Sequence, residues 1–248
     1  LNAYLQGGQY ALAVRLLASS IPSCAELGLP PSVQHLAELT QGLVLSVGPT
    51  GSGKSTTLAS LLQRINMSRA VHIVTLEDPV EYIYPTGQAL ISQREIGRDT
   101  AGFASGLRSA LRQDPDVILV GELRDSESMA MALSAAETGH LVFATLHTQD
   151  AAGSINRILD ALPERQAQVR TQLAECLQAI VCQRLLPRAD GRGRVAAFEV
   201  LVATEALRNL IREGRTHQLE SYIQTGKRFG MVTLAESVNE LRRQGIIK

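Results

Sequence analysis

Short apolar runs alternate with helical patterns along most of this chain. Strand-like runs rich in Val, Ile and Leu occupy residues 43–47, 71–76, 88–91, 117–120 and 140–145. Helical patterns of apolar residues lie at about 54–66, 100–113 and 126–137. Strands that alternate with helices in this way predict parallel β-α units. We therefore predict an α/β fold with a doubly wound, mainly parallel sheet.

The first forty residues carry a different pattern. Residues 1–22 contain two strand-like runs around the pair Gly7 and Gly8, which predict a hairpin from a small β-containing domain. Arg15 falls in the second run, where a long cationic side chain usually reaches solvent. The chain opens inside the first run and without Met, so we expect residues to be missing upstream. Residues 23–42 follow Pro22, contain Pro30 and Pro31 and have a short helical pattern at 32–39, which together predict a linker and a lead-in helix.

The last third of the chain changes again. Two apolar runs, at 174–186 and 195–201, flank a polar turn and predict a hairpin that extends the sheet. Residues 204–248 have the pattern of three short helices. We therefore place the α/β core at 43–203 and a helical region at 204–248 after it.

Composition and charge narrow the class of protein. The 248 residues are 45% hydrophobic and 19% charged, which is typical of a globular protein with a full core. The 24 Lys and Arg residues balance 24 Asp and Glu residues, so the basic excess of a broad nucleic-acid surface is absent. The three cysteines lack C-x-x-C spacing, which disfavours disulfides and a four-cysteine zinc site. Neither a signal peptide nor a bilayer-length apolar run is evident, so we expect a cytoplasmic protein that reaches membranes only through a partner.

A phosphate-binding loop follows the first core strand. Gly48, Gly53, Lys54 and Ser55 satisfy G-x-x-x-x-G-K-[ST], whose glycines let backbone N–H groups turn towards a triphosphate. Lys54 can reach the β- and γ-phosphates, and the Ser55 hydroxyl can bind Mg²⁺. A chance glycine-rich turn is the alternative, but the flanking strand and helix supply the context that the motif requires. The predicted ATP site comprises Gly48, Pro49, Thr50, Gly51, Ser52, Gly53, Lys54, Ser55 and Thr56.

The position of each acid relative to the strand 117–120 distinguishes one candidate for the active site. Asp114 and Asp116 precede the strand 117–120, whereas Glu122 follows it. Ligands of parallel sheets lie at the carboxyl ends of the strands, where the phosphate loop also begins. We therefore predict that Glu122 is the Walker-B-like acid and, with Ser55, a magnesium ligand. The alternative, a glutamate in a surface loop, leaves its place after a wholly apolar strand unexplained.

Two further groups lie near the same predicted edge. Glu77, Asp78 and Glu81 follow the strand 71–76, and three carboxylates so close repel one another unless a cation is near. Spacing alone does not choose the catalytic one among them. His140 and His147 flank the strand 140–145, His140 at its start and His147 beyond its end. Each histidine is either a packing or capping residue or a sensor of the γ-phosphate.

Four blocks in order resemble the secretion ATPase superfamily of type II secretion and type IV pili, and most of all its pilus-retraction branch, the PilT family. The blocks are the phosphate loop at 48–57, an Asp-box-like segment at 76–82, a Walker B region at 114–125 and a His-box-like segment at 138–148. Residues 206–214, Ala-Leu-Arg-Asn-Leu-Ile-Arg-Glu-Gly, are similar to a motif of the retraction branch. The tetracysteine element of the assembly and secretion branches is absent from the sequence.

The resemblance implies a cytoplasmic homo-hexamer whose subunits have a PAS-like amino-terminal domain and a RecA-like motor domain. It implies that Glu81 is the general base for water and Glu122 the Walker B acid, and that His140 and His147 respond to the nucleotide. Arg15 matches an amino-terminal arginine that reaches the nucleotide in this family. The resemblance also implies that residues 1–22 are only the last part of the family's amino-terminal domain.

The function that follows is an ATP-hydrolysing motor that uses Mg²⁺ and powers pilus retraction through an inner-membrane platform protein. A pilus-assembly or type II secretion motor is the alternative within the class. An accessory or regulatory subunit without hydrolysis is another, although it has no need for carboxylates at both Glu81 and Glu122. A RecA-like helicase is disfavoured by the neutral charge balance and by the lack of interleaved basic and aromatic residues. No nucleic-acid partner is therefore expected.

Overall fold

The chain opens with a hairpin in the computed structural model, which describes residues 2–14 and 20–248. Strands β1 (Asn2–Gln6) and β2 (Gln9–Ala13) pair antiparallel around the predicted turn. Large apolar side chains of this hairpin are exposed, with Tyr10 89% accessible. Arg15 lies outside the described residues, so its predicted role is not addressed by the structure.

A seven-stranded sheet organises the rest of the described chain. Its strands are β3 (Gly42–Val47), β4 (His72–Glu77), β5 (Leu90–Glu95), β6 (Val117–Val120), β7 (Leu141–Leu146), β8 (Leu177–Pro187) and β9 (Arg194–Val202). The order across the sheet is β5-β4-β6-β7-β3-β8-β9. All neighbours pair parallel except β8 and β9, which form the predicted antiparallel hairpin. The predicted α/β fold with a mainly parallel sheet is confirmed.

Helices cover both faces of this sheet. They are α1 (Pro31–Gln34), α2 (Lys54–Ser68), α3 (Phe103–Ala110), α4 (Ser126–Glu137), α5 (Ala151–Ala161), α6 (Gln166–Cys176), α7 (Glu205–Arg212), α8 (Leu219–Thr225) and α9 (Leu234–Arg243). Successive residues of β3 alternate between two core clusters, Leu45 joining Met129 of α4 and Val44 joining Leu62 of α2. Because both faces are buried, the central strands read as continuous apolar runs.

Four elements, β5, α5, α6 and β8, differ from the sequence-based expectation. β5 begins at Leu90 and continues through Ser92 and Arg94, because an edge strand accommodates polar residues that hide its pattern. The apolar run 174–186 divides between the end of α6 and β8, since an apolar run alone does not separate strand from helix. Helices α5 and α6 had no predicted counterpart. The division of the chain at residues 22, 42 and 203 stays a prediction.

No helix in the described ranges combines the length and the apolar character that crossing a membrane requires.

Candidate nucleotide-binding site

The predicted phosphate loop connects the end of β3 to the start of α2. Gly48 and Gly53 have φ angles of +144° and +92°, which other residues rarely adopt. A Cβ at Gly48 would lie 2.5 Å from the backbone O of Gln183 and 2.7 Å from Ser52 Oγ. The loop therefore has no room for a side chain at this position, and its backbone can curl against β8.

Lys54 points back into this loop. Its Nζ donates to the backbone O of Gly48 at 2.8 Å and to that of Pro49 at 3.1 Å. Burial lowers the pKa of Lys54, while the carboxylates of Glu122 and Glu81 act in the opposite direction. The ammonium group thus lies inside the loop with two acids close enough to influence it.

Several features of the loop fit a bound phosphate. Ser52 is 3% exposed, and its Oγ has no hydrogen-bond partner among the described residues. Gly53 caps α2 without a side-chain hydrogen bond, so the first-turn N–H groups are not satisfied by a capping side chain. Such an N-terminus attracts anions through its N–H groups and helix dipole. The Ser52 hydroxyl and the uncapped N–H groups at the start of α2 lie in the same loop. Together they form a suitable binding site for an anion.

A cavity of about 730 Å³ opens beside the loop, within the size range of small-molecule sites. Residues of the phosphate loop that line it are Thr50, Gly51, Gly53, Lys54, Ser55 and Thr56. Across the cavity are the acids that follow β4 and β6 and the histidine that follows β7, namely Glu77, Asp78, Glu81, Glu122 and His147. The structure therefore brings the predicted phosphate loop, Glu81, Glu122 and His147 to one place.

Both oxygens of Glu122 have partners. Its Oε1 lies 3.1 Å from His147 Nε2, and its Oε2 accepts from Arg124 Nε at 2.7 Å. Arg124 also lies 3.6 Å from Asp78, so it links the loops after β4 and β6. The hydrogen bond with Glu122 raises the pKa of Arg124 above its ordinary value. Arg124 lies two residues after the predicted acid, but its spacing alone does not predict this contact.

The three acids after β4 differ in their surroundings. Glu77 accepts from Thr75 Oγ1 at 2.6 Å and from Gln93 Nε2 at 3.2 Å. Burial raises the pKa of the Glu77 carboxyl, and hydrogen bonds from Thr75, Gln93 and the backbone N–H of Glu81 counteract that rise. All three acids line the cavity. Glu77 is engaged in hydrogen bonds with its neighbours and Asp78 approaches Arg124, whereas Glu81 is close enough to Lys54 to favour its charged form.

The remaining predicted positions lie elsewhere. His140 precedes β7, and its Nδ1 is 3.0 Å from the backbone O of Ala135 and 3.3 Å from Thr138 Oγ1. The six residues of β7 span about 20 Å at the usual rise, so His140 is at the opposite end of the strand from His147 and does not line the cavity. Asp116 is also at that far edge, where it accepts from the backbone N–H of His72 at 2.8 Å, as its position before β6 predicts.

Two contacts that hold the phosphate-loop helix were not predicted from the sequence. Gln183, which is 4% exposed on β8, accepts from Thr57 Oγ1 of α2 at 2.7 Å. The hydroxyl groups of Tyr82 and Thr56 are 2.9 Å apart, which joins the loop after β4 to α2. The only signal for Gln183 is a polar residue inside an apolar run.

Oxygen donors for Mg²⁺ are present but few. The Ser55 hydroxyl and the Glu122 carboxylate line the same cavity, and Mg²⁺ prefers such hard oxygen ligands. Within residues 2–14 and 20–248, no group of three or more His, Cys, Asp or Glu side chains is arranged to hold a metal ion. The donor set fits a site completed by phosphates and water, as is common for Mg²⁺.

Comparison with known proteins identifies a family. The model of the family "Type II/IV secretion system protein" matches residues 11–246. The chain is 49% identical over 99% of its length to a twitching motility protein of Neisseria gonorrhoeae, and 48% identical over 99% to the type IV pilus retraction ATPase PilT of Pseudomonas aeruginosa. A crystal structure of the pilus retraction motor PilT with bound ADP matches 99% of the chain with a TM-score of 0.93 and 48% identity.

The match covers only part of each relative. The chain spans 66% of the length of the Neisseria protein, 72% of the Pseudomonas protein and 70% of the PilT chain in the crystal structure.

Proposed function

Because the chain belongs to the family of type II/IV secretion system proteins, we propose that it is an ATPase motor that powers type IV pilus retraction. The observation that carries the proposal is the convergence of the phosphate loop, Glu81 and Glu122 on one cavity. The similarity to a PilT with bound ADP supports nucleotide binding, and the names of the relatives support pilus retraction.

Each residue of the site has a distinct task in this proposal. The N–H groups of the phosphate loop and the Lys54 ammonium bind the β- and γ-phosphates, which places the γ-phosphate towards the acids. Glu81 orients and deprotonates the attacking water. The Ser55 hydroxyl and the Glu122 carboxylate would hold Mg²⁺, which neutralises charge on the phosphate oxygens. His147 contacts Glu122 and so can respond to the presence of the γ-phosphate.

The motor function requires an assembly. We propose a homo-hexamer in which a site completed across a subunit boundary couples hydrolysis to domain movement. A platform protein of the inner membrane would receive that movement, and the motor would work at the cytoplasmic side. His140 and Arg15 belong to this part of the proposal. His140 lies away from the cavity of its own subunit, and Arg15 lies outside the described residues.

Two substitutions test the chemistry. Lys54→Ala removes the cation of the phosphate loop and should abolish nucleotide binding, measured by titration calorimetry with ADP. Glu81→Gln keeps the size of the side chain and should leave binding intact while steady-state phosphate release falls by at least about a hundredfold, in the range expected of a general base. Normal turnover in Glu81→Gln would show that Glu81 is not the general base. A wild-type protein that binds no nucleotide would refute the proposal.

A deletion in the native bacterium tests the biological role. Loss of a retraction motor should leave more surface pili and abolish twitching. Loss of pili would instead identify an assembly motor, and unchanged pili and twitching would contradict a role in pilus dynamics.

A further inference from the structure

We propose that Gln93, on the edge strand β5, is a positioning residue that sets the place of Glu81 in the site. The inference rests on the proposed function, since it takes Glu81 to be the general base. Gln93 reaches Glu81 through the backbone that follows it and through the side chain of Glu77.

The side-chain amide of Gln93 makes three contacts with the loop that carries Glu81. Its Nε2 donates to the backbone O of Tyr82 at 2.8 Å and to Glu77 Oε1 at 3.2 Å, and its Oε1 accepts from the backbone N–H of Tyr84 at 3.4 Å. A glutamine amide has two N–H donors and one carbonyl acceptor, so both donors and the acceptor are engaged. One side chain therefore fixes the backbone directly after Glu81.

The backbone before Glu81 is fixed from the same strand. Glu95 Oε2 accepts from the backbone N–H of Val80 at 3.2 Å. Glu77 is held by Gln93 and by Thr75, whose Oγ1 donates to the same Oε1 atom at 2.6 Å. Thr75 and Gln93 are directly opposed in the β4–β5 register, so the sheet itself brings both donors to one oxygen. Glu81 is therefore bracketed by residues tied to the sheet edge.

The far side of the loop is held by the helix of the phosphate loop. The Tyr82 hydroxyl is 2.9 Å from Thr56 Oγ1, one residue after Ser55. The segment with Glu81 thus spans from β5 to α2, and Gln93 is its anchor on the β5 side. Catalytic groups need this kind of support, because a shift of about 1 Å can lower a rate a hundredfold.

The neighbour of Gln93 provides a matched control. Arg94 follows it on β5 and points to the other face, where it donates to Gln113 Oε1 at 2.5 Å and to Ser109 Oγ at 3.3 Å near α3. Neither contact involves the loop with Glu81. Gln93→Leu and Arg94→Met each remove polar contacts of β5, but only the first releases the loop.

The test compares kcat, KM and thermal stability for the full chain as it assembles. In Gln93→Leu we expect kcat for MgATP to fall at least tenfold, while KM and the Kd for ADP stay within about twofold of wild type. Arg94→Met should keep kcat near wild type even where its Tm falls as much. Gln93→Glu keeps the size of the side chain but loses both donors, so its kcat should fall too. If Gln93→Leu does not fold, Gln93→Glu serves as the test.

An unchanged kcat in the folded Gln93 variants would overturn the inference, as would an equal loss in Arg94→Met, which would indicate a general structural effect. The Glu81→Gln variant distinguishes failure of the positioning role of Gln93 from failure of the proposed function. If Glu81→Gln is inactive while the Gln93 variants are fully active, only the positioning role fails. If Glu81→Gln turns over normally, the base assignment fails as well.

Discussion

The hydrogen bond between Thr57 and Gln183 joins the phosphate-loop helix to β8. Thr57 is 1% and Gln183 4% exposed, and the oxygen atoms are 2.7 Å apart. Gln183 also packs against the loop, since a Cβ on Gly53 would lie 2.7 Å from its Nε2. We predict that this buried contact stabilises both the protein and the shape of the loop.

Thr57→Val tests this with little change in shape. The valine leaves Gln183 Oε1 buried without its hydroxyl donor, and an unsatisfied buried acceptor costs about 1–3 kcal/mol. The free energy of unfolding should therefore fall by about 2 kcal/mol. In the double variant Thr57→Val with Gln183→Leu neither polar group remains, so the combined loss should be smaller than the sum by about 1 kcal/mol.

Urea denaturation of the four proteins measures both quantities, and calorimetric titration with ADP should show affinity reduced several-fold in Thr57→Val. Thr171→Val, at an exposed position of α6, is the control and should change stability by less than about 0.5 kcal/mol. A Thr57→Val protein as stable as the control, or strictly additive losses in the double variant, would refute the reasoning.

Three further predictions follow from other parts of the structure. Gly48→Ala introduces a Cβ where no space exists and should abolish ADP binding in calorimetry, whereas Gly245→Ala, with open space around it, should bind normally. Burial raises the pKa of Glu77, so the folded protein holds the proton of this carboxyl more tightly than the unfolded protein does. The contribution of Glu77 to stability therefore falls as pH rises through the raised pKa. The Tm of Glu77→Gln relative to wild type should therefore rise between pH 4.5 and 7, and a constant difference would contradict the shift. Phe143→Ala empties a site that is 0% exposed and should lower the free energy of unfolding by about 3–5 kcal/mol in urea, so a loss below about 1 kcal/mol would show that the core refills the space.

The sequence predicts the central sheet well because its strands are buried on both faces and read as apolar runs. The rule that ligands lie at the carboxyl ends of parallel strands correctly separates Glu122, at the cavity, from Asp116, at the opposite edge. Both results depend only on local pattern and chain order.

The supporting contacts are harder to predict. Gln93 is on an edge strand with mixed polarity, and Gln183 is a single polar residue in an apolar run, so neither pattern shows what the side chain will face. Arg124 pairs with Glu122 through local geometry that spacing does not specify. Among Glu77, Asp78 and Glu81, the choice depends on tertiary contacts from β5 and Arg124, which only the folded chain reveals.

The most direct test of the central claim is a crystal structure with Mg²⁺ and a non-hydrolysable ATP analogue. We predict phosphates against the N–H groups of residues 51–55, a magnesium ion between Ser55 and Glu122, and a water between Glu81 and the γ-phosphate. A nucleotide bound elsewhere, or one in this cavity with Glu81 and Glu122 both turned away from its phosphates, would contradict the account.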